Sequence, residues 1–212
     1  MAANPRGRLI VFEGGEGTGK TTQLELAAQW LREQTSQPVL MTREPGGTPL
    51  GGALRQLLLG DRPLAPRTEL LLYAADRAQH VETVLGPALA AGRIVLCDRF
   101  TDSTLAYQGY GRGLDLQLIA DLNYAATNGL RSDFTLWFDL DVAVGLQRAH
   151  QRGPRDRMEA AALAFHQRVR QGFAHLAAQA PERYARIDAS CSVPQVARAV
   201  QAWLTTWLQL SP

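Results

Sequence analysis

A chain of 212 residues, 46% hydrophobic and 20% charged, is long enough for one sheet with helices on both faces and has ordinary globular composition. A formal charge of +2 gives no general basis for binding nucleic acid, two cysteines are too few for a disulfide framework, and no apolar run reaches membrane-spanning length. Met1 to Arg8 is followed by only four apolar residues, too few for a secretion-signal core, so the expected compartment is the cytoplasm and the expected organisation one domain over 1–212.

Leu9-Ile10-Val11-Phe12 reads as a short buried strand and Thr22 to Leu31 as a helix. Between them lies Gly14-Gly15-Glu16-Gly17-Thr18-Gly19-Lys20-Thr21, a complete G-x-x-x-x-G-K-[ST] phosphate loop, and Lys20 is the only lysine among the 22 basic residues. Glycines let the backbone curl around a polyphosphate, and the N–H groups of the loop and helix start supply positive potential. Gly14 through Thr22 are therefore the candidate ATP-binding residues, with Lys20 reaching the β/γ-phosphates and the Thr21 hydroxyl suited to Mg²⁺.

Pro38 to Thr42 reads as a second strand, ending in the turn-rich Arg43-Glu44-Pro45-Gly46-Gly47-Thr48; Leu50 to Leu59 has helical spacing and stops at Gly60. A helix begins at Thr68 and runs through His80, with Pro87 placed to bend any continuation to Ala91. Arg93 to Asp98 and Phe134 to Asp139 are strands with little alternation, as expected when helices cover both sheet faces. Glycines in Ser103 to Gly113 point to a loop with exposed backbone. Helices follow at about Leu116–Thr127, Val142–Arg152, Met158–Ala178 and Val193–Leu208, with a last strand near Tyr184–Asp188. The alternation implies an α/β fold with a parallel, doubly wound sheet and ligands at the C-terminal strand ends.

Three strands end in polar clusters that should open onto one sheet edge: the phosphate loop, Arg43, and Asp98-Arg99-Phe100. An acid at the end of an apolar strand beside a phosphate loop is placed to hold Mg²⁺ directly or through water; a helix cap is the plainer reading of Asp98. Two arginines at adjacent strand ends, Arg43 and Arg99, are placed to grip a second phosphate. Tyr73 and Arg77 share a helix face and could hold a nucleobase, although on spacing alone core packing is the simpler account, as it is for Tyr107 and Gln108. Arg148, Arg152, Arg155 and Arg157 crowd a Gly-Pro-interrupted segment; beside a phosphate loop, this reads as a lid over about 148–160 that brings arginine to a transferring phosphoryl group.

Read together, Phe12 to Thr22, Thr42 to Thr48, Tyr73-Ala74-Ala75-Asp76-Arg77, Asp98-Arg99-Phe100, Ala106 to Gly113 and Arg152 to Glu159 resemble bacterial thymidylate kinase nearly end to end. The resemblance implies a P-loop NTPase fold with a parallel five-stranded sheet, the reaction ATP + dTMP → ADP + dTDP with Mg²⁺, and a homodimer packed through helices. It also implies roles by position. Glu16 would reach the acceptor 3′-hydroxyl, Arg43 and Arg99 the dTMP phosphate, Tyr73 the thymine face, and Arg77 and Gln108 its polar edge or the nearby phosphate. Tyr107 would pack where a ribose 2′-hydroxyl would go, Thr104 would be a further substrate-binding residue, and Glu44-Pro45 would be cis. No basic residue precedes Lys20 in the loop, so the chain is similar to the branch whose lid supplies the catalytic arginines, here Arg152, Arg155 and Arg157. Tyr73 replaces a common phenylalanine, and Ala160-Ala161-Ala162 stands where relatives often carry acids. A GTP switch would need D-x-x-G and N-K-x-D; no Asp has Gly three residues on, and Lys20 is the sole lysine. A kinase for another nucleotide keeps the architecture with a different acceptor.

Overall fold

The apolar runs become five parallel strands in one sheet of order β2-β3-β1-β4-β5: β1 (Arg8–Gly14), β2 (Val39–Arg43), β3 (Ile94–Asp98), β4 (Phe134–Asp139) and β5 (Tyr184–Asp188). The computed structural model describes residues 6–151 and 157–209. Pairing register sets Phe12 opposite Asp98 and Asp98 opposite Arg43, so the three polar strand ends open onto one edge as expected. Each strand is joined to the next by helix, the right condition for parallel pairing.

One face is covered by α1 (Lys20–Gln34) and α9 (Val193–Leu208). Leu24, Ala27, Ala28 and Leu31 of α1, and Val196, Val200 and Leu204 of α9, pack on Ile10, Phe12, Leu96, Leu136, Phe138 and Ile187. Phe12 and Phe138 stack with ring centroids 5.6 Å apart, close under the start of the phosphate loop. On the other face, Leu9, Val11, Val95 and Cys97 meet Val81, Leu85, Ala88 and Leu89. Trp137 and Tyr184 there meet α8 (Leu163–Gln179) and the Tyr107 segment. Cys97 is a buried thiol, as its strand position implies.

Helices α2 (Pro49–Leu59) and α3 (Pro66–His80) pack together, and α3 also packs on α6 (Leu116–Thr127). Past His80 the backbone widens into a π-helical segment, Val81–Leu85, before α4 (Gly86–Ala90). Pro87 is the second residue of α4 and follows directly on the widened segment, in backbone that stays helical on both sides, so it does not end the helix. Segment 103–113 departs from expectation. Helix α5 (Thr101–Thr104) continues into a wide helical segment, Leu105–Gly111, most of it buried. Its glycines serve close packing: a Cβ on Gly109 would lie 2.4 Å from Leu116 Cδ2, and one on Gly111 2.6 Å from Phe165 Cε2. Helix α7 (Val142–His150) ends two residues before its expected limit, and α8 starts at Leu163 rather than Met158. Arg157 is tied to Leu58 and Glu69, which holds the chain after it off the α8 axis.

Candidate active site

The phosphate loop leaves β1 at Gly14 (φ 144°) and turns through Gly17 (φ 66°) and Gly19 (φ 82°), conformations that side-chain-bearing residues rarely adopt. It is also pressed against α7. A Cβ on Gly17 would fall 1.9 Å from the Gly145 carbonyl oxygen, and one on Gly145 would fall 2.5 Å from that of Glu16. Lys20 is buried and donates to Gly14 O (3.1 Å), Gly15 O (2.7 Å) and Thr18 Oγ1 (3.3 Å). Burial and the Arg99 charge lower its pKa to about 8 against the pull of Asp98 and Glu16, so it remains mostly charged at neutral pH. The ammonium is thus held over the loop by weak neutral acceptors that a polyphosphate can replace.

Thr21 Oγ1 donates to Asp98 Oδ2 at 2.8 Å, while Asp98 Oδ1 is buried with no hydrogen-bond partner. A hydroxyl oxygen and an unpartnered carboxylate oxygen are hard donors of the kind Mg²⁺ prefers when it keeps most of its waters and takes the rest from phosphates. The residues present fit that ion.

Arg99 has left-handed backbone (φ 72°), and its guanidinium bridges the two halves of the site. It donates to Gly14 O (3.0 Å), Ser103 Oγ (3.2 Å), Glu16 Oε1 (3.0 Å) and Tyr107 OH (3.1 Å), and lies 4.9 Å from the Tyr107 ring centroid. Burial would raise the Glu16 pKa, but the Arg99 and Lys20 charges and the Tyr107 hydrogen bond outweigh it and hold Glu16 at about 2. Behind them, fully buried Glu13 accepts from Phe100 N (2.9 Å), Ser103 N (3.0 Å) and Ser103 Oγ (2.6 Å). It thereby fastens the turn that carries Arg99.

Two clefts flank this arginine. One, about 410 Å³, is lined by the phosphate loop, Thr21, Thr22, Arg43 and Asp98. The other, about 90 Å³, is lined by Pro45, Leu59, Tyr73, Arg77, Thr104, Tyr107, Gln108 and Met158. Glu16, Glu44, Arg55 and Arg99 border both. In the smaller cleft Tyr73 is half-buried, and burial together with the Glu69 charge pushes its phenol pKa up, so it stays neutral. Arg77 is 2% exposed and donates to Glu44 Oε2 (2.8 Å), Thr104 Oγ1 (2.8 Å), Asn123 Oδ1 (2.6 Å) and Phe100 O (3.0 Å), which leaves one of its five N–H groups for a ligand.

The structure therefore gathers Lys20, Thr21, Asp98, Arg43, Arg99 and Glu16 at the phosphate side, and Tyr73, Arg77, Thr104, Tyr107 and Gln108 at the other. Glu44–Pro45 is cis, as the resemblance implies. Arg157 points elsewhere: its guanidinium donates to Glu69 Oε2 (2.5 Å) and twice to Leu58 O (3.0 and 2.8 Å), and it borders neither cleft. Arg152 and Arg155 lie outside the described residues. Sequence reasoning passed over Arg55, which donates to Pro45 O at 2.9 Å between the clefts, and over the buried acids Glu13, Glu44 and Glu69. The one available signal for Arg55 was its position as the lone charge in an apolar helix beside the Arg43 turn.

A phosphate loop on a parallel sheet, adjoining a second cleft across a wall of arginine, defines a P-loop nucleotide phosphotransferase. The thymidylate kinase family model matches residues 12–200. The chain is 58% identical over 216 residues to a thymidylate kinase of Cyanothece sp., covering 92% of each, and 57% identical over 210 residues to one of Nostoc punctiforme, covering 97% of this chain and 99% of that one. The crystal structure of thymidylate kinase from Ehrlichia chaffeensis is similar at a TM-score of 0.79 and 36% identity, over 95% of this chain and all of that one. The chain belongs to the thymidylate kinase family.

Proposed function

We propose that the chain transfers the γ-phosphoryl group of ATP to the phosphate of dTMP, with triphosphate in the larger cleft and thymidine monophosphate in the smaller. The observation that carries this reading is the shared border: Arg55, Arg99 and Glu16 face both clefts, where donor and acceptor phosphates would meet. No protein base is required, because the nucleophile is an acceptor phosphate oxygen already ionised at neutral pH. Catalysis then rests on alignment and charge stabilisation. Lys20 and Arg99 supply fixed positive charge, and Tyr73 a flat apolar face for the base. Glu16, kept ionised, supplies an acceptor for a sugar hydroxyl.

Mg²⁺, held by Thr21 and the unpartnered oxygen of Asp98, would neutralise charge on the donor phosphates. Residues 148–160 form the proposed lid, closing over both nucleotides and excluding water that would otherwise compete. Among the described residues no helix is long and apolar enough to cross a membrane. Exposed Leu50 and Leu57 on α2, Leu71 on α3, and Leu118 and Tyr124 on α6 lie on helices packed in a row, which supports a homodimer through that face.

Coupled assay of ADP release with dTMP, dUMP, dCMP, dGMP, UMP and thymidine tests the assignment. The largest kcat/KM is expected for dTMP; a larger value for any of the others overturns it.

A further inference from the structure

Glu69 of α3 is wholly buried and touches neither cleft, yet it gathers three donor residues from two separate segments. Gln108 Nε2 donates to Oε1 at 2.8 Å, Arg112 Nε and Nη2 donate to the two oxygens at 3.3 and 3.2 Å, and Arg157 Nη1 donates to Oε2. Burial would raise its pKa, but the hydrogen bonds from Gln108, Arg112 and Arg157 outweigh it and hold it below the usual value. An ionised carboxylate only accepts, so the amide nitrogen of Gln108 must face Glu69. The amide carbonyl is then the end left to the cavity that Gln108 lines, and Oε1 is not among the sealed, unpartnered polar atoms of the described residues.

A fixed acceptor in the cavity that Arg77, with one N–H left over, also lines matches a pyrimidine edge that pairs a ring N–H with a carbonyl. Thymine and uracil have that edge. Cytosine presents a bare ring nitrogen where thymine presents N–H, and its lone pair would oppose the carbonyl oxygen. We propose that Glu69 is a positioning residue for base selectivity: by orienting the Gln108 amide it makes the cavity accept thymine or uracil and reject cytosine. This rests on the dTMP assignment above.

The test measures kcat/KM for dTMP, dUMP and dCMP in wild type, Glu69→Gln, Gln108→Met and the double variant. A glutamine at 69 can donate as well as accept, so Gln108 can turn over. The dTMP-to-dCMP ratio is expected to fall about tenfold or more, with dTMP-to-dUMP unchanged, because a site built on one hydrogen-bond pattern discriminates steeply. In the Gln108→Met background, Glu69→Gln should leave the dTMP-to-dCMP ratio where Gln108→Met alone puts it. If Glu69→Gln does not fold, Glu69→Asp keeps a charge opposite both arginines while withdrawing from Gln108, and the same fall in ratio is expected. Equal loss on all three substrates, or the same ratio change with Met at 108, overturns the proposal while the dTMP assignment stands. A wild type inactive on dTMP overturns both.

Discussion

The Tyr107 hydroxyl donates to Glu16 Oε1 at 2.7 Å, so the ring proposed to exclude ribose also holds the acid proposed to meet the acceptor sugar. Ring and hydroxyl are separable. Tyr107→Phe keeps the ring but removes a hydrogen bond to an ionised partner worth about 1.5–3 kcal/mol. It is expected to lower kcat/KM for dTMP about tenfold and to leave the preference over ribothymidylate intact. Tyr107→Ala should relax that preference as well. An unchanged dTMP-to-ribothymidylate ratio in the Ala variant would make Tyr107 a packing residue only.

Lys20→Ala should fold and yet lose turnover. The ammonium is buried among loop carbonyls, and its charge is proposed to track phosphates whose charge shifts during transfer. Loss of such a stabiliser costs roughly 10²–10³ in rate. Single-turnover kinetics, with a thermal melt to confirm folding, provide the check, and near-normal turnover would remove the loop from the reaction.

Glu13 sets a pH dependence of stability. Burial, with the Asp102 charge next, raises its carboxyl from 4.5 to about 7. Between those values the folded chain keeps a proton that the unfolded chain has released. The associated stability is therefore present below pH 4.5 and lost as pH rises toward 7, by about 3 kcal/mol. Denaturant melts of wild type and Glu13→Gln across this window should converge on the acid side and separate in favour of Gln on the neutral side. A constant difference across the window would show that Glu13 titrates normally.

The lid arginines should divide by role. Alanine at Arg152 or Arg155 is expected to lower kcat about 10²-fold with a smaller effect on ATP affinity, the mark of an interaction made in the transition state. Arg157→Ala should instead lower stability, because Arg157 is one of two arginines on the buried Glu69 carboxylate. A triple variant with wild-type kcat and only weakened ATP binding would make the segment a clamp.

The phosphate loop and strands were readable because their signals are local: glycine spacing in one case, unbroken apolar runs in the other. The buried acids were not. Glu13 meets Phe100 87 residues away, Glu44 meets Arg77 33 away, and Glu69 meets Arg157 88 away, with nothing in their own neighbourhoods to mark the pairing. The 103–113 segment departs from its sequence expectation for a related reason. Glycine permits a turn and also permits a neighbouring side chain to come close, and in one dimension the two look alike. Gly109 and Gly111 disclose which applies only once Leu116 and Phe165 are beside them.

The seat of the phosphate loop on α7 joins two parts of the chain that any mutational map drawn along the sequence would keep apart. Gly17 and Gly145 meet as bare backbone, leaving no room for a methyl group on either side. Alanine at Gly145 would therefore push on the Glu16 carbonyl and injure ATP binding much as a change within the loop does. Because α7 runs on to His150, the start of the segment proposed as the lid, a change at Gly145 would bear on the phosphate loop and on that segment together.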